Sequence, residues 1–288
     1  MADDNKKADE EGYGTTGHSW DGIEELNNPL PRWWLWIFYA TIVWGIWYVI
    51  AYPAWPLVSG ATEGYKGWST RANVAAEIAA AEEANAEINE RLVAADLDAI
   101  PTDPGLAVYA RSAGESVFNT WCVQCHGREG GGFLGYPNLA DDDWLWGGTM
   151  EDIHYSVAHG IRNEEDPDAR FSEMPAYGEI FSREEIDQVV NYVMSLSKEP
   201  RDASQVAAGE ELYLDNCAAC HGDAGEGNTM LGAPNLSDAI WLYGGDYDSL
   251  VETVTYSRYG VMPPWAPRLS EAEIRAVSAY VHQLGGGE

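Results

Sequence analysis

The chain has 288 residues, enough for one or two domains with cores of their own. Its 16 Lys and Arg stand against 47 Asp and Glu, a net charge of -31 that repels phosphate backbones and excludes nucleic acid as a partner. The four cysteines occur only as two Cys-x-x-Cys pairs, each followed directly by His, which is no disulfide framework.

In chain order, residues 1–32 form the first segment, with eight acidic and three basic residues among scattered Gly, Asn and Pro. Such a composition predicts a mostly extended leader, with HSWDGIEELNNPLP (18–31) as the stretch able to dock elsewhere. Residues 33–52, WWLWIFYATIVWGIWYVIAY, carry no charge and have about the 20 residues a helix needs to cross a bilayer. Trp33, Trp34, Tyr52 and Trp55 stand where aromatic belts form. A soluble helix this apolar on all faces needs a far larger protein around it, and a signal peptide would not follow a long acidic leader. Lys6, Lys7 and Arg32 before the span, against Lys66 and Arg71 after it, bias the N-terminus only slightly toward the inside.

Residues 53–104 read as a linker. Within it, 70–96 is rich in Ala and Glu, with Val74, Ile78, Ala81, Asn85, Ile88 and Leu92 spaced by four and three. This predicts a helix with one apolar stripe. Three heptads around a central Asn are too few for a coiled coil, so the stripe is expected to pack on a neighbouring subunit or on the chain's own domains. Pro101 and Pro104 close the segment.

From residue 105 the sequence repeats itself. Gly114-x3-Phe118-x3-Cys122-x2-Cys125-His126 returns 95 positions later as Gly209-x3-Tyr213-x3-Cys217-x2-Cys220-His221. PNLADDDWLWGG (137–148) and PNLSDAIWLYGG (234–245) agree at eight of twelve positions, now 97 apart. Met174-Pro175 and Met262-Pro263 are 88 apart, as are Ser182-x-x-Glu185 and Ser270-x-x-Glu273, two capping boxes that each open a final helix. The fold expected is therefore mainly α, with one N-terminal transmembrane helix and two tandem haem domains like class I cytochromes c, at 105–199 and 200–288.

A Cys-x-x-Cys pair with His directly behind it is the spacing of haem c attachment. Two thiols add to the porphyrin vinyl groups, and the adjacent His is held against one face of the ring. A zinc ribbon would bring its second pair within about 20 residues, and a thioredoxin-like dithiol would sit in a βαβ pattern that is missing here. Two covalent haems c are expected, on Cys122 and Cys125 and on Cys217 and Cys220, with His126 and His221 as proximal ligands.

The repeat also selects the sixth ligands. Only Met174 and Met262 occupy matching places among the methionines, and a neutral thioether favours ferrous iron while closing the second axial position. Met150, Met194 and Met230 are expected to be packing residues. His154 and His159 have Val251 and Tyr256 as counterparts, so they are expected to be structural, as are His18 and His282. The carbonyls of Pro137 and Pro234 are expected to accept hydrogen bonds from His126 and His221 and so fix the rings. Trp121, Phe133, Trp144, Trp146, Trp241, Tyr243 and Trp265 supply aromatic bulk for the pockets. Haem c is attached outside the cytoplasmic membrane, which places 53–288 in the periplasm and the leader in the cytoplasm. That outer part holds 13 basic and 39 acidic residues and suits a basic donor.

The leader and span HSWDGIEELNNPLPRWWLW, the following AYPAWP and the two CxxCH domains with Met-Pro loops resemble the dihaem cytochrome c subunits (CcoP or FixP) of cbb3-type cytochrome c oxidase, over nearly the whole chain. The resemblance implies a bacterial inner-membrane subunit that does no bond chemistry itself. It takes electrons from a donor cytochrome c and passes them toward a monohaem cytochrome subunit and an oxygen-reducing, proton-pumping catalytic subunit with a haem-copper centre. It also leaves two pairings open: each repeat uses its own methionine, or each lends its methionine to the other haem. Two other readings stand beside it, a membrane-anchored dihaem carrier for another reductase or dehydrogenase, and a haem enzyme or gas sensor with one open axial site.

Overall fold

A computed structural model describes residues 14–287, which are mainly helical and fall into two units that divide between Ala84 and Asn85. Lys6 and Lys7 lie outside the described residues.

In the first unit the expected extended leader holds a hairpin, β1 (Thr15–Trp20) paired antiparallel with β2 (Ile23–Leu26). The turn is Asp21-Gly22, with φ of 52° and 83°. A type I′ turn needs left-handed backbone at both central residues, and Asp-Gly supplies it at little cost. The composition of the segment hid this signal. Helix α1 (Arg32–Ala51) follows, the one described helix long and apolar enough to cross a membrane. Ala51 alone is buried, and Trp36 is 72% exposed, so the apolar surface faces outward all round and calls for an apolar solvent. At its far end the Lys66 ammonium lies over the rings of Trp47 and Tyr52, at 5.4 and 5.1 Å, a cation at the edge of an aromatic belt. Two short paired strands, β3 (Pro56–Leu57) and β4 (Gly60–Ala61), complete this region.

The Ala- and Glu-rich segment is helix α2 (Thr70–Ala94). The expected stripe is buried at its C-terminal end. Val74 and Ile78 are exposed, whereas Leu92 is fully buried with Ile100, Leu106, Ala110 and Met150, and Ile88 packs beside them. Arg275 donates to the carbonyls of Leu92 and Ala95, satisfying acceptors that a helix C-terminus leaves open.

The second unit contains the repeats. In the first, α3 (Pro104–Val117) starts on Asp103, whose carboxylate accepts from Gly105 and Leu106, with Pro104 in the first turn. The helix widens over Phe118–Cys122, turns into α4 (Val123–His126), and is followed by α5 (Met150–His159) and α6 (Arg183–Ser197). The second repeat supplies α7 (Val206–Asn216), α8 (Ala218–His221), α9 (Tyr247–Tyr256) and α10 (Glu271–His282). Both capping boxes form, on Ser182 with Glu185 and on Ser270 with Glu273.

The repeats exchange their last helices. α3 packs on α10, and α7 packs on α6. At each crossing a glycine lets the backbones touch: a Cβ on Gly114 would stand 2.1 Å from the Ala276 carbonyl oxygen, and one on Gly209 would stand 2.1 Å from that of Gln188. Phe118 meets Tyr280 with ring centroids 5.3 Å apart, and Tyr213 meets Tyr192 at 5.0 Å. The connection explains the exchange. Only residues 198–205 separate α6 from α7, and helices joined by a short link pack as neighbours, which leaves α3 and α10 to pair.

Candidate functional site

Each Cys-x-x-Cys-His segment follows the helix that makes a crossing. In the second site, Cys217, Cys220, His221 and Pro234 line a cavity of about 290 Å³, with Trp241 and Tyr243 in its wall. Met174, from the first repeat, lines the same cavity. It arrives there because α6, which its loop precedes, belongs to the core built on α7. The other site mirrors this. Cys122, Trp144, Met262 and Trp265 pack against one core formed by Val117, Phe118, Ile153, Ile274 and Val277. Met262 thus sits with the first Cys-x-x-Cys pair, and Met174 with the second.

The proximal histidines are arranged alike. His126 Nδ1 is 3.1 Å from the Pro137 carbonyl and His221 Nδ1 is 3.0 Å from that of Pro234, the partners expected from the sequence. A carbonyl only accepts, so Nδ1 carries the proton and the Nε2 lone pair is left available as a ligand. Burial holds both imidazoles below the usual histidine range, against a smaller opposing effect of these hydrogen bonds. All four cysteines are free of disulfides. Burial, with a smaller push from the neighbouring thiol, raises Cys122 to about 11, and burial likewise raises Cys217 to about 11. Imidazoles with Nε2 left available, paired thiols free of disulfides and apolar walls together fit a covalently tethered haem.

The other candidates have different places. His154 faces Glu271 at 3.1 Å and His159 faces Asp166 at 3.0 Å, in agreement with structural roles. Met150 and Met194 are buried, but Met230 is 84% exposed and is no packing residue. Its loop passes Gly232, which lies against Trp146, and the methionine is carried outward. Of the aromatic residues, Trp121 and Trp265 lie 5.7 Å apart in the first site, Phe133 is largely exposed, and Trp146 is buried between the repeats rather than in a cavity. Arg162 and Arg258 were not singled out by sequence, yet both line the second cavity. The change of offset between the repeats hid them: Arg162 lies beside the extra chain of the first repeat, and Arg258 has its counterpart, Arg170, only at the offset of 88.

A model described as the N-terminal domain of cytochrome oxidase-cbb3, FixP, matches residues 12–59, and one for cytochrome c oxidase, cbb3-type, subunit III, matches 110–193 and 204–281. The chain is 60% identical over 276 residues to a cbb3-type cytochrome c oxidase subunit CcoP of Cereibacter sphaeroides, covering 95% of each chain. It is 54% identical over 285 residues to a CcoP subunit of Rhodobacter capsulatus, covering 95% of this chain and 96% of that one. It is 48% identical over 289 residues to a FixP subunit of Sinorhizobium medicae, covering 100% of both.

Proposed function

Because the chain belongs to the CcoP/FixP family of cbb3-type cytochrome c oxidase subunits, we propose that each CxxCH segment tethers one haem c and that the methionine of the opposite repeat closes each site. The chain is an electron-transfer subunit of a cbb3-type oxidase. When bound, the haems supply one-electron chemistry at iron. The residues of this chain do the rest. Cys122 and Cys125 anchor one ring and Cys217 and Cys220 the other, while His126 and His221 are turned by the Pro137 and Pro234 carbonyls. Met262 serves the site of His126, and Met174 serves that of His221. Aromatic walls keep water out, which favours the less charged ferrous state.

The observation that carries the reading is that Met174 shares a cavity with Cys217, Cys220 and His221 although it comes from the other repeat. With His126 and Met262 as donors in one site and His221 and Met174 in the other, a bound haem would be left no open coordination position, which would disfavour a gas sensor or a haem enzyme. The helix Arg32–Ala51 anchors the chain in the bacterial inner membrane, with the leader cytoplasmic and the haem domains periplasmic, where haem c is attached. The donor is a basic cytochrome c drawn to the acidic outer region. The acceptor is the monohaem subunit, ahead of the catalytic haem-copper subunit. Two measurements test this. The intact mass of the denatured chain is expected to exceed that of the polypeptide by two haems. In detergent-solubilised membranes the chain is expected to migrate with copper and oxidase activity. Migration without copper would favour a free dihaem carrier.

A further inference from the structure

The offset between the repeats falls from 97 to 88 between the WGG/YGG turns and the Met-Pro loops, so the first repeat carries nine residues there that the second lacks. The extra chain follows Gly160-Ile161-Arg162, which forms the centre of a small ladder. On one side Ile161 exchanges backbone hydrogen bonds with Met262, at 2.9 and 3.0 Å. On the other, Arg162 N donates to the Arg170 carbonyl at 2.7 Å and Arg170 N to that of Gly160 at 3.1 Å. Arg162 has a φ of 52°, left-handed backbone that a non-glycine residue adopts at a cost of about 1 kcal/mol.

The side chain of Arg162 reaches both methionine loops. Its Nε donates to the Ser172 carbonyl at 2.5 Å, two residues before Met174. Its Nη1 donates to the Gly260 carbonyl at 3.3 Å, two residues before Met262. The guanidinium lies 5.8 Å from the Trp146 ring centroid and 5.7 Å from that of Tyr259, which limits its swing. Arg258, also in the cavity wall, bonds only within the second repeat: to Thr253 Oγ1, the carbonyls of Tyr243 and Ser249, and the Glu252 carboxylate. A planar fork offers separate nitrogens to the two carbonyls in a fixed relation, whereas a lysine would have to serve both from one nitrogen on a flexible stem.

We propose that Arg162 is a positioning residue that holds both methionine loops, so that closure of the two axial sites depends on one shared guanidinium. This rests on Met174 and Met262 being axial ligands. Loss of one methionine leaves the guanidinium holding the other loop, whereas loss of the guanidinium loosens both loops at once, and the two haems act as a ligation-coupled pair rather than as independent centres. Arg162 acts through the backbone of each loop.

The test uses the full-length, haem-loaded chain in detergent, with carbon monoxide binding to the reduced protein and the spin state of the ferric protein as readouts. M174L and M262L are each expected to open one haem, taking up about one carbon monoxide per chain. R162Q, added to either background, is expected to raise uptake above one by loosening the loop that remains. R162K is expected to restore closure only in part, because one ammonium on a flexible stem holds the two carbonyls less rigidly than the planar guanidinium does. Haem content and helical circular dichroism verify that the variants fold. If R162Q raises uptake in only one background, or in neither, the clamp is refuted while the ligand assignment stands. If M174L and M262L open nothing, the assignment and the clamp fall together.

Discussion

Gly114 of the first repeat lies so close to Ala276 of the second that a Cβ on the glycine would stand 2.1 Å from the Ala276 carbonyl oxygen. Gly209 and Gln188 reproduce the relationship at the same distance in the other pair. The opposing atom is backbone and cannot rotate aside. G114A and G209A are therefore each expected to force a helix pair apart, at a cost of about 2–3 kcal/mol. Thermal unfolding of the haem-loaded chain checks this, and a melting temperature within about a degree of the parent would contradict it.

Asp143 stands among carboxylates. Burial raises it to about 6, helped by the charges of Asp238, Asp141 and Asp142. A folded-state value above the unfolded one means that the native protein binds the extra proton. Stability is then expected to fall as pH rises from about 4 to about 6, because ionisation is disfavoured only in the folded state. D143N should flatten that part of the stability curve and make the protein more stable at pH 7. Denaturant midpoints at pH 4.5 and 7 measure both effects, and an unchanged difference between the two pH values would contradict them.

The acidic outer region governs encounter. Its 39 acidic against 13 basic residues should draw in a basic donor over distances longer than any contact. Raising ionic strength from 10 to 150 mM is expected to slow the second-order rate of reduction by a basic cytochrome c on the order of tenfold. Stopped-flow mixing reads this directly. A rate independent of salt would mean that the charge serves solubility alone.

Much of the fold was legible because its signals are local. The apolar run of α1, the caps at Ser182 and Ser270, and the duplicated CxxCH segments each depend on residues close in sequence, and each stands where its spacing put it. The hairpin at Asp21-Gly22 was equally local, but an acidic surrounding concealed it. The exchange of α6 and α10 was not readable from the faces, since both final helices carry equivalent apolar stripes and either would satisfy α3. The short link between α6 and α7 was the signal that favoured one answer. Arg162 was out of reach, because its role depends on two loops separated by almost ninety residues that only the folded chain brings together.

The exchanged methionines are the central claim, and a chain carrying a single haem tests it most directly. With C122A and C125A removing the first attachment, only the haem on Cys217 and Cys220 remains. Adding M174L is expected to turn that haem high-spin and open it to carbon monoxide, while adding M262L instead leaves it low-spin. The reverse outcome, with M262L opening the haem and M174L leaving it closed, would contradict the account.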